Sequence, residues 1–140
     1  MGGTLKRIIF AAIIAALAVP AIGKAHNWVP YDKDECGVHF LDAKSKDSVV
    51  EGRYRIFELL NLQVPERSGN KQYKSVLSNI VIDCTSRTSA VDFEIEYGKA
   101  DARGALVGSR KCFDADKQWS SAKAESAQGR LIEIVCNAAN

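Results

Sequence analysis

The clearest pattern in the chain lies between Tyr73 and Tyr97. Val91, Phe93, Ile95 and Tyr97 alternate with Ala90, Asp92, Glu94 and Glu96. Successive side chains of a strand point to opposite faces, so this spacing predicts a β-strand with one apolar face and one acidic, solvated face. Just upstream, Val76, Ile80 and Ile82 stand opposite Leu77 and Val81. Apolar residues on both sides predict a more central strand. The polar run Asp83 to Arg87 is short enough to turn the chain back as a hairpin, which places Cys84 at a strand end.

The same reading extends outward. His26 to Tyr31 starts the domain with Trp28 as its anchor, and Asp32 to Glu35 forms a charged connector. Val38 to Asp42 reads as a strand. Arg53 to Val64 reads as a long one, with Tyr54, Ile56, Leu60, Leu62 and Val64 on one face, broken only by Glu58, and Phe57 and Leu59 on the other. Lys44 to Ser48 is polar and turn-like. Pro65 to Lys71 reads as a loop punctuated by proline and Gly-Asn. Gly98 to Gly104 is a second loop, and Ala105 to Phe113 a short mixed strand. From Ser121 to Asn137 the period changes, with Leu131, Ile134 and Val135 at i, i+3 and i+4, as in an amphipathic helix. Gly129 weakens its first turns, since glycine costs about 1 kcal/mol relative to alanine inside a helix. Consecutive strands joined by short loops are most simply antiparallel neighbours, and an apolar sheet face needs a cover. The expected fold is therefore α+β, a small antiparallel sheet meander packed by a C-terminal α-helix.

The first residues change the reading of charge. Lys6 and Arg7 precede an unbroken apolar run from Ile8 to Val19, then Pro20, then small residues at Gly23 and Ala25. This is the pattern of a secretory signal peptide over residues 1–25, cut after Ala25. The run is shorter than the roughly 20 residues that span a bilayer, so no stable membrane anchor is expected after cleavage. Lys6, Arg7 and Lys24 leave with the leader, so 19 basic residues become 16 against 17 acidic ones, and the formal balance moves from +2 to −1. A nucleic-acid-binding domain carries a basic excess, so nucleic acid is not an expected partner. Residues 26–140 suit one domain. All four cysteines, Cys36, Cys84, Cys112 and Cys136, lie in it. An even count in a small exported domain predicts two disulfides, and the wide spacings favour neither a zinc site nor a C-x-x-C redox motif.

Candidate chemistry is sparse. Cleavage after Ala25 would leave His26 with a free α-amine beside its imidazole, a pair suited to copper, and His39 is the one other imidazole in the sequence. Against this, a terminal histidine and a strand histidine need no ligand to explain them, and no metal or other cofactor is expected. Asp92, Glu94 and Glu96 share one strand face, where a solvated face is the ordinary account. Phe57 and Leu59, flanked by Arg53 and Arg55, form a candidate basic-rimmed patch for a protein partner, against the plainer reading that the patch lies under the helix or a loop. No G-x-S-x-G or other nucleophile context is present, so an enzyme is not expected.

The ordered set of features then resembles a known family. A tryptophan at the mature start (Trp28) precedes the strand Val38 to Asp42 and the long strand Arg53 to Val64 running into a proline loop. Tyr73, Ser75-Val76 and Ile82-Asp83-Cys84 follow, then Val91 to Tyr97, Trp119 and Val135-Cys136. This resembles the surface-adhesin protein E family of Gram-negative bacterial envelopes, over nearly all of the mature chain. The resemblance implies a sheet packed by a C-terminal helix and a disulfide from Cys84 to Cys136. Cys36 and Cys112 fall outside its pattern and are expected to pair with each other as the two that remain. It also implies an exported, non-enzymatic envelope protein acting by contact with host or envelope proteins. Adhesive members are lipid-anchored, and no cysteine follows the apolar run before Cys36, so a periplasmic or secreted form is expected. The alternative is a small periplasmic metal- or ligand-binding protein using His26.

Overall fold

The computed structural model describes residues 25–112 and 118–138. They form seven strands and one helix: β1 (Trp28–Lys33), β2 (Gly37–Asp42), β3 (Asp47–Val50), β4 (Arg53–Ser68), β5 (Lys71–Asp83), β6 (Thr88–Lys99), β7 (Arg103–Lys111) and α1 (Ala127–Asn137). All strands are antiparallel in one sheet of order β1-β2-β4-β5-β6-β7, with β3 hairpinned onto β4. The expected meander and helix are present. The leader predicted for residues 1–25 falls, apart from Ala25, outside the described residues, as does Phe113.

Three boundaries differ from the sequence reading, each for a local reason. β4 runs through the expected loop at Pro65 and turns only at Gly69-Asn70. Its register to β5 breaks between Asn61 and Glu66, so the missing N–H of Pro65 falls where the ladder is already irregular. β1 and β3 take in residues expected as the domain start with its charged connector and as a polar turn; both are short, and pairing rather than burial makes them strands. The helix begins at Ala127 rather than Ser121, because Ser126 caps it by accepting the N–H of Gly129 at 3.1 Å.

One sheet face receives the helix. Leu41, Ile56, Ile80 and Ile82 pack with Leu131, Ile132, Val135 and Cys136, flanked by Tyr31 and Tyr54. Three further ties hold the cover: Arg130 pairs with Asp32 on β1, Lys46 donates to the carbonyl of Val135 at 2.9 Å, and Gln128 donates to Ser89. Ile134, expected on the buried stripe, is 41% exposed, and the stripe is instead Leu131, Ile132, Val135 and Cys136. At the helix end, Cys84 and Cys136 form a disulfide with Cα atoms 5.4 Å apart.

The expected second disulfide is not formed. Cys36, before β2, and Cys112, after β7, are free thiols. Four strand spacings separate β2 from β7 in the sheet order. At about 4.8 Å each that is roughly 19 Å, far beyond the Cα separation a disulfide bridges.

The glycine in the first helical turn is required by packing. A Cβ on Gly129 would overlap the carbonyl oxygen of Lys123 and lie 2.8 Å from its carbonyl carbon, because residues leading into the cap fold back over that turn. Gly129→Ala should therefore reverse the usual preference. Instead of the gain of about 1 kcal/mol expected inside a helix, a loss of about 1–3 kcal/mol is expected from overpacking against backbone. A higher unfolding midpoint in urea for the alanine variant would refute the contact.

Candidate functional site

A bulge decides what each sheet face carries. β6 pairs Phe93 with Asn79 but Val91 with Ile80, so Asp92 is an extra residue and the alternation slips by one. Phe93, Ile95 and Tyr97 consequently lie on the helix-free face, while Val91, Glu94 and Glu96 lie on the face that bears the helix. The acidic residues expected on one solvated face are thus divided: Asp92 sits 3.8 Å from Arg55, on the helix-free side. On that side, Trp28, Phe40, Phe57, Phe93 and Tyr97 are all half-buried. Phe57 meets Phe93 edge to face at 5.8 Å between centroids. The expected patch changes accordingly. Leu59 is only 1% exposed, Arg53 binds Asp83 at 2.8 Å, and Phe57 is left as its accessible apolar part.

His26 stands at the margin of this face. Its ring stacks on Trp28 at 4.8 Å and meets Phe57 edge-on at 5.7 Å. Its Nδ1 is 2.7 Å from Oδ2 of Asp42, whose other oxygen accepts the N–H groups of Asn27 and Lys44, both at 3.0 Å. Burial raises the pKa of Asp42, but the hydrogen bond with His26 and the two N–H donors outweigh it and hold the carboxyl below its ordinary value. A hollow of about 720 Å³ opens here, lined by Ala25, His26, Asp42, Lys44, Ser45 and Phe57 among others.

Serine, histidine and aspartate thus meet, but not as a nucleophilic triad. Ser45 Oγ donates to the backbone carbonyl of Asp42 at 2.9 Å and accepts the N–H of Phe57 at 2.9 Å, so its proton goes to a carbonyl and not to a base. Nor do the two imidazoles converge. His39 pairs with Leu60 on the helix-bearing face, whereas Asp42, on the same strand, holds His26 on the other. Among the described residues no three His, Cys, Asp or Glu side chains are grouped to hold a metal.

His39 belongs to a buried polar network. Its Nδ1 lies 2.8 Å from Glu58 and its Nε2 3.0 Å from Asp34, while Tyr31, turned inward by a bulge in β1, donates to the same Glu58 oxygen at 2.5 Å. Burial favours the neutral imidazole, yet the hydrogen bond to Glu58 and the charges of Glu58 and Asp34 prevail and raise the pKa above 6.5. With a carboxylate on each side, both ring nitrogens donate, as only the imidazolium can. A folded pKa raised above the unfolded one gives stability fully present below pH 6.5 and lost as pH rises through the higher folded value. Unfolding free energy should therefore fall across neutral pH, and His39→Gln should flatten that slope. An unchanged slope in the variant would assign the pH dependence elsewhere. Sequence reading singled out His39 as a metal candidate and missed this network, since Asp34, Glu58 and Tyr31 reach it only through strand pairing.

The family model described as surface-adhesin protein E matches residues 28–137. No curated protein matches the sequence. Among solved structures, crystal form II of Haemophilus influenzae protein E is similar with a TM-score of 0.59 at 13% identity, covering 79% of this chain and 87% of that one. Protein E from non-typeable Haemophilus influenzae is similar with a TM-score of 0.53 at 12% identity, covering 81% and 86%. At such identities the structural likeness speaks for the fold alone. The family match spans nearly the whole described domain, from Trp28 on the first strand to the end of the helix pinned by Cys136, and by it the chain belongs to the surface-adhesin protein E family.

Proposed function

We propose that this is an exported, non-enzymatic envelope protein that works by protein–protein contact, with adhesion to host proteins as its role when it reaches the cell surface. The observation that carries the reading is family membership over residues 28–137, which takes in all the described secondary structure up to the last helical residue. The leader-like residues 1–25 support export. The half-buried aromatic array of Trp28, Phe40, Phe57, Phe93 and Tyr97 offers contact area of the residue types enriched in interfaces.

Labelling of intact cells with an antibody against the folded domain tests the location, with permeabilised cells as reference. Signal on intact cells, together with binding of those cells to a host cell layer that is lost on deletion of the gene, is the expected result. Signal only after permeabilisation would confine the protein to the periplasm and end the adhesive reading.

A further inference from the structure

The helix is too short for the sheet it covers. Eleven helical residues span about 16 Å, whereas the 16 residues of β4 extend for about 53 Å. Helix packing ends near Ile56 and Ile80, and on the same face Leu60, Leu62 and Val76 remain half-buried without it. Two adjoining hollows of about 270 and 400 Å³ run over this end of the face, and a third of about 310 Å³, lined by Ala127, Gln128 and Leu131, joins them to the start of the helix. Glu94 lines all three, and Glu58 and Glu96 each line two. The bulge at Asp92 is what turns Glu94 and Glu96 to this side.

Most of the charge here is already engaged. Glu58 is taken by Tyr31 and His39, Glu94 by Arg110 at 2.8 Å, and Glu66 by the hydroxyl of Tyr73 at 2.6 Å. Glu96 is the exception. Its Oε2 is shut off from solvent and has no hydrogen-bond partner among the described residues. It rests against Gly108, where a Cβ would overlap that oxygen, so the absence of a side chain is what admits the carboxylate. The field of the trough is visible in Tyr73, whose phenol is pushed up to about 12 by its hydrogen bond to Glu66, by desolvation, and by the charges of Glu66, Glu96 and Glu94. A carboxylate that has lost the hydration of one oxygen without a donor in exchange gains from a cation brought against it.

We propose that this trough is a docking groove for a basic, extended segment of a partner protein, seating an apolar side chain on Leu60, Leu62 and Val76 and a lysine or arginine against Glu96. Charge complementarity selects the partner: an acidic segment would meet Glu94, Glu96 and Glu66 together. A bare divalent cation fits less well, because it takes six or more oxygens and the neighbouring carboxylates are occupied by Arg110, Tyr73 and His39. The apolar floor gives a peptide side chain what an ion cannot use. This groove lies on the opposite sheet face from the aromatic array, and the proposal rests on the protein-contact reading.

The test uses the oxidised chain and three fluorescent peptides of equal length, alternating Lys–Leu, Lys–Ser or Glu–Leu. Saturable binding of the Lys–Leu peptide is expected, at least about tenfold tighter than either other peptide. A loss of about tenfold is expected in Glu96→Gln, the size of one charge-assisted hydrogen bond. Leu62→Ser should weaken binding as well, and Val50→Ala, exposed on β3 beside the start of β4, should not. Equal binding of the Lys–Ser peptide would reduce the effect to non-specific charge attraction and overturn the groove. So would Lys–Leu binding that both groove variants leave intact, or no binding at all. Matching near-ultraviolet circular dichroism establishes that each variant is folded, and peptide-induced amide shifts at Leu60, Val76 and Glu96 locate the site independently. A protein confined to the periplasm would defeat the adhesive reading while leaving peptide binding by the purified chain untouched, so the two failures are distinguishable.

Discussion

Removing the Cys84–Cys136 disulfide, by the paired substitutions Cys84→Ser and Cys136→Ser, is expected to cost about 4 kcal/mol of folding stability. The bond joins residues 52 apart in sequence, and the loss follows from the loop entropy that the cross-link removes from the unfolded chain. It pins the last turn of α1 to the start of the β5–β6 turn, where the helix would otherwise depend on its packed face and the ties to Asp32, Ser89 and Lys46. Cys36→Ser and Cys112→Ser, which break no bond, should stay within about 0.5 kcal/mol of the parent and serve as matched controls. Urea unfolding of the parent and the variants measures the difference. A loss under about 1 kcal/mol in the paired variant would show that side-chain packing alone seats the helix.

Leu131→Ala should cost about 3 kcal/mol, within the usual range for truncating a buried leucine. Leu131 is 1% exposed and packs with Ile56, Ile80 and Ile82 beneath the helix, so a cavity would open where two layers meet. Ile134→Ala is the informative comparison. The spacing of Leu131, Ile134 and Val135 assigns both residues to one stripe, yet Ile134 is 41% exposed. Its truncation should cost under about 1 kcal/mol, because little of its surface leaves water on folding. Equal losses for the two variants would place the helix in a different rotation about its axis.

The error at Ile134 and the error at Glu94 and Glu96 have one origin. Periodicity says that a segment has an apolar side and how wide it is. Which residues at the margin of that side are covered depends on the element lying against it. For the helix, a rotation of the stripe exchanges Ile134 for Ile132 without altering the period. For β6, a single extra residue at Asp92 exchanges the faces of everything that follows it, and no residue type marks the place. The candidate patch around Phe57 suffered in the same way. Leu59 and Phe57 share a face, but only Phe57 keeps exposed surface, since neighbouring side chains close over Leu59.

What the sequence alone determined is local in character. Alternation in Arg53 to Leu62 and in Phe93 to Tyr97 specifies strands, because a strand's side chains alternate whatever it pairs with. The polar run after Asp83 specifies the hairpin and sets Cys84 at its start, and the change of period before Asn137 specifies the helix. Those features, with the ordered residues of the resemblance, carried the fold class and the Cys84–Cys136 bond. Tertiary structure decided the rest, which depends on what meets across the sheet. It set Cys36 and Cys112 four strand spacings apart, brought Asp34, Glu58 and Tyr31 around His39, and turned Glu94 and Glu96 toward the end of the face that the helix does not reach. The physical reason is that register, bulges and the reach of a cover are relations between segments, while the alternation that predicts a strand belongs to the segment itself.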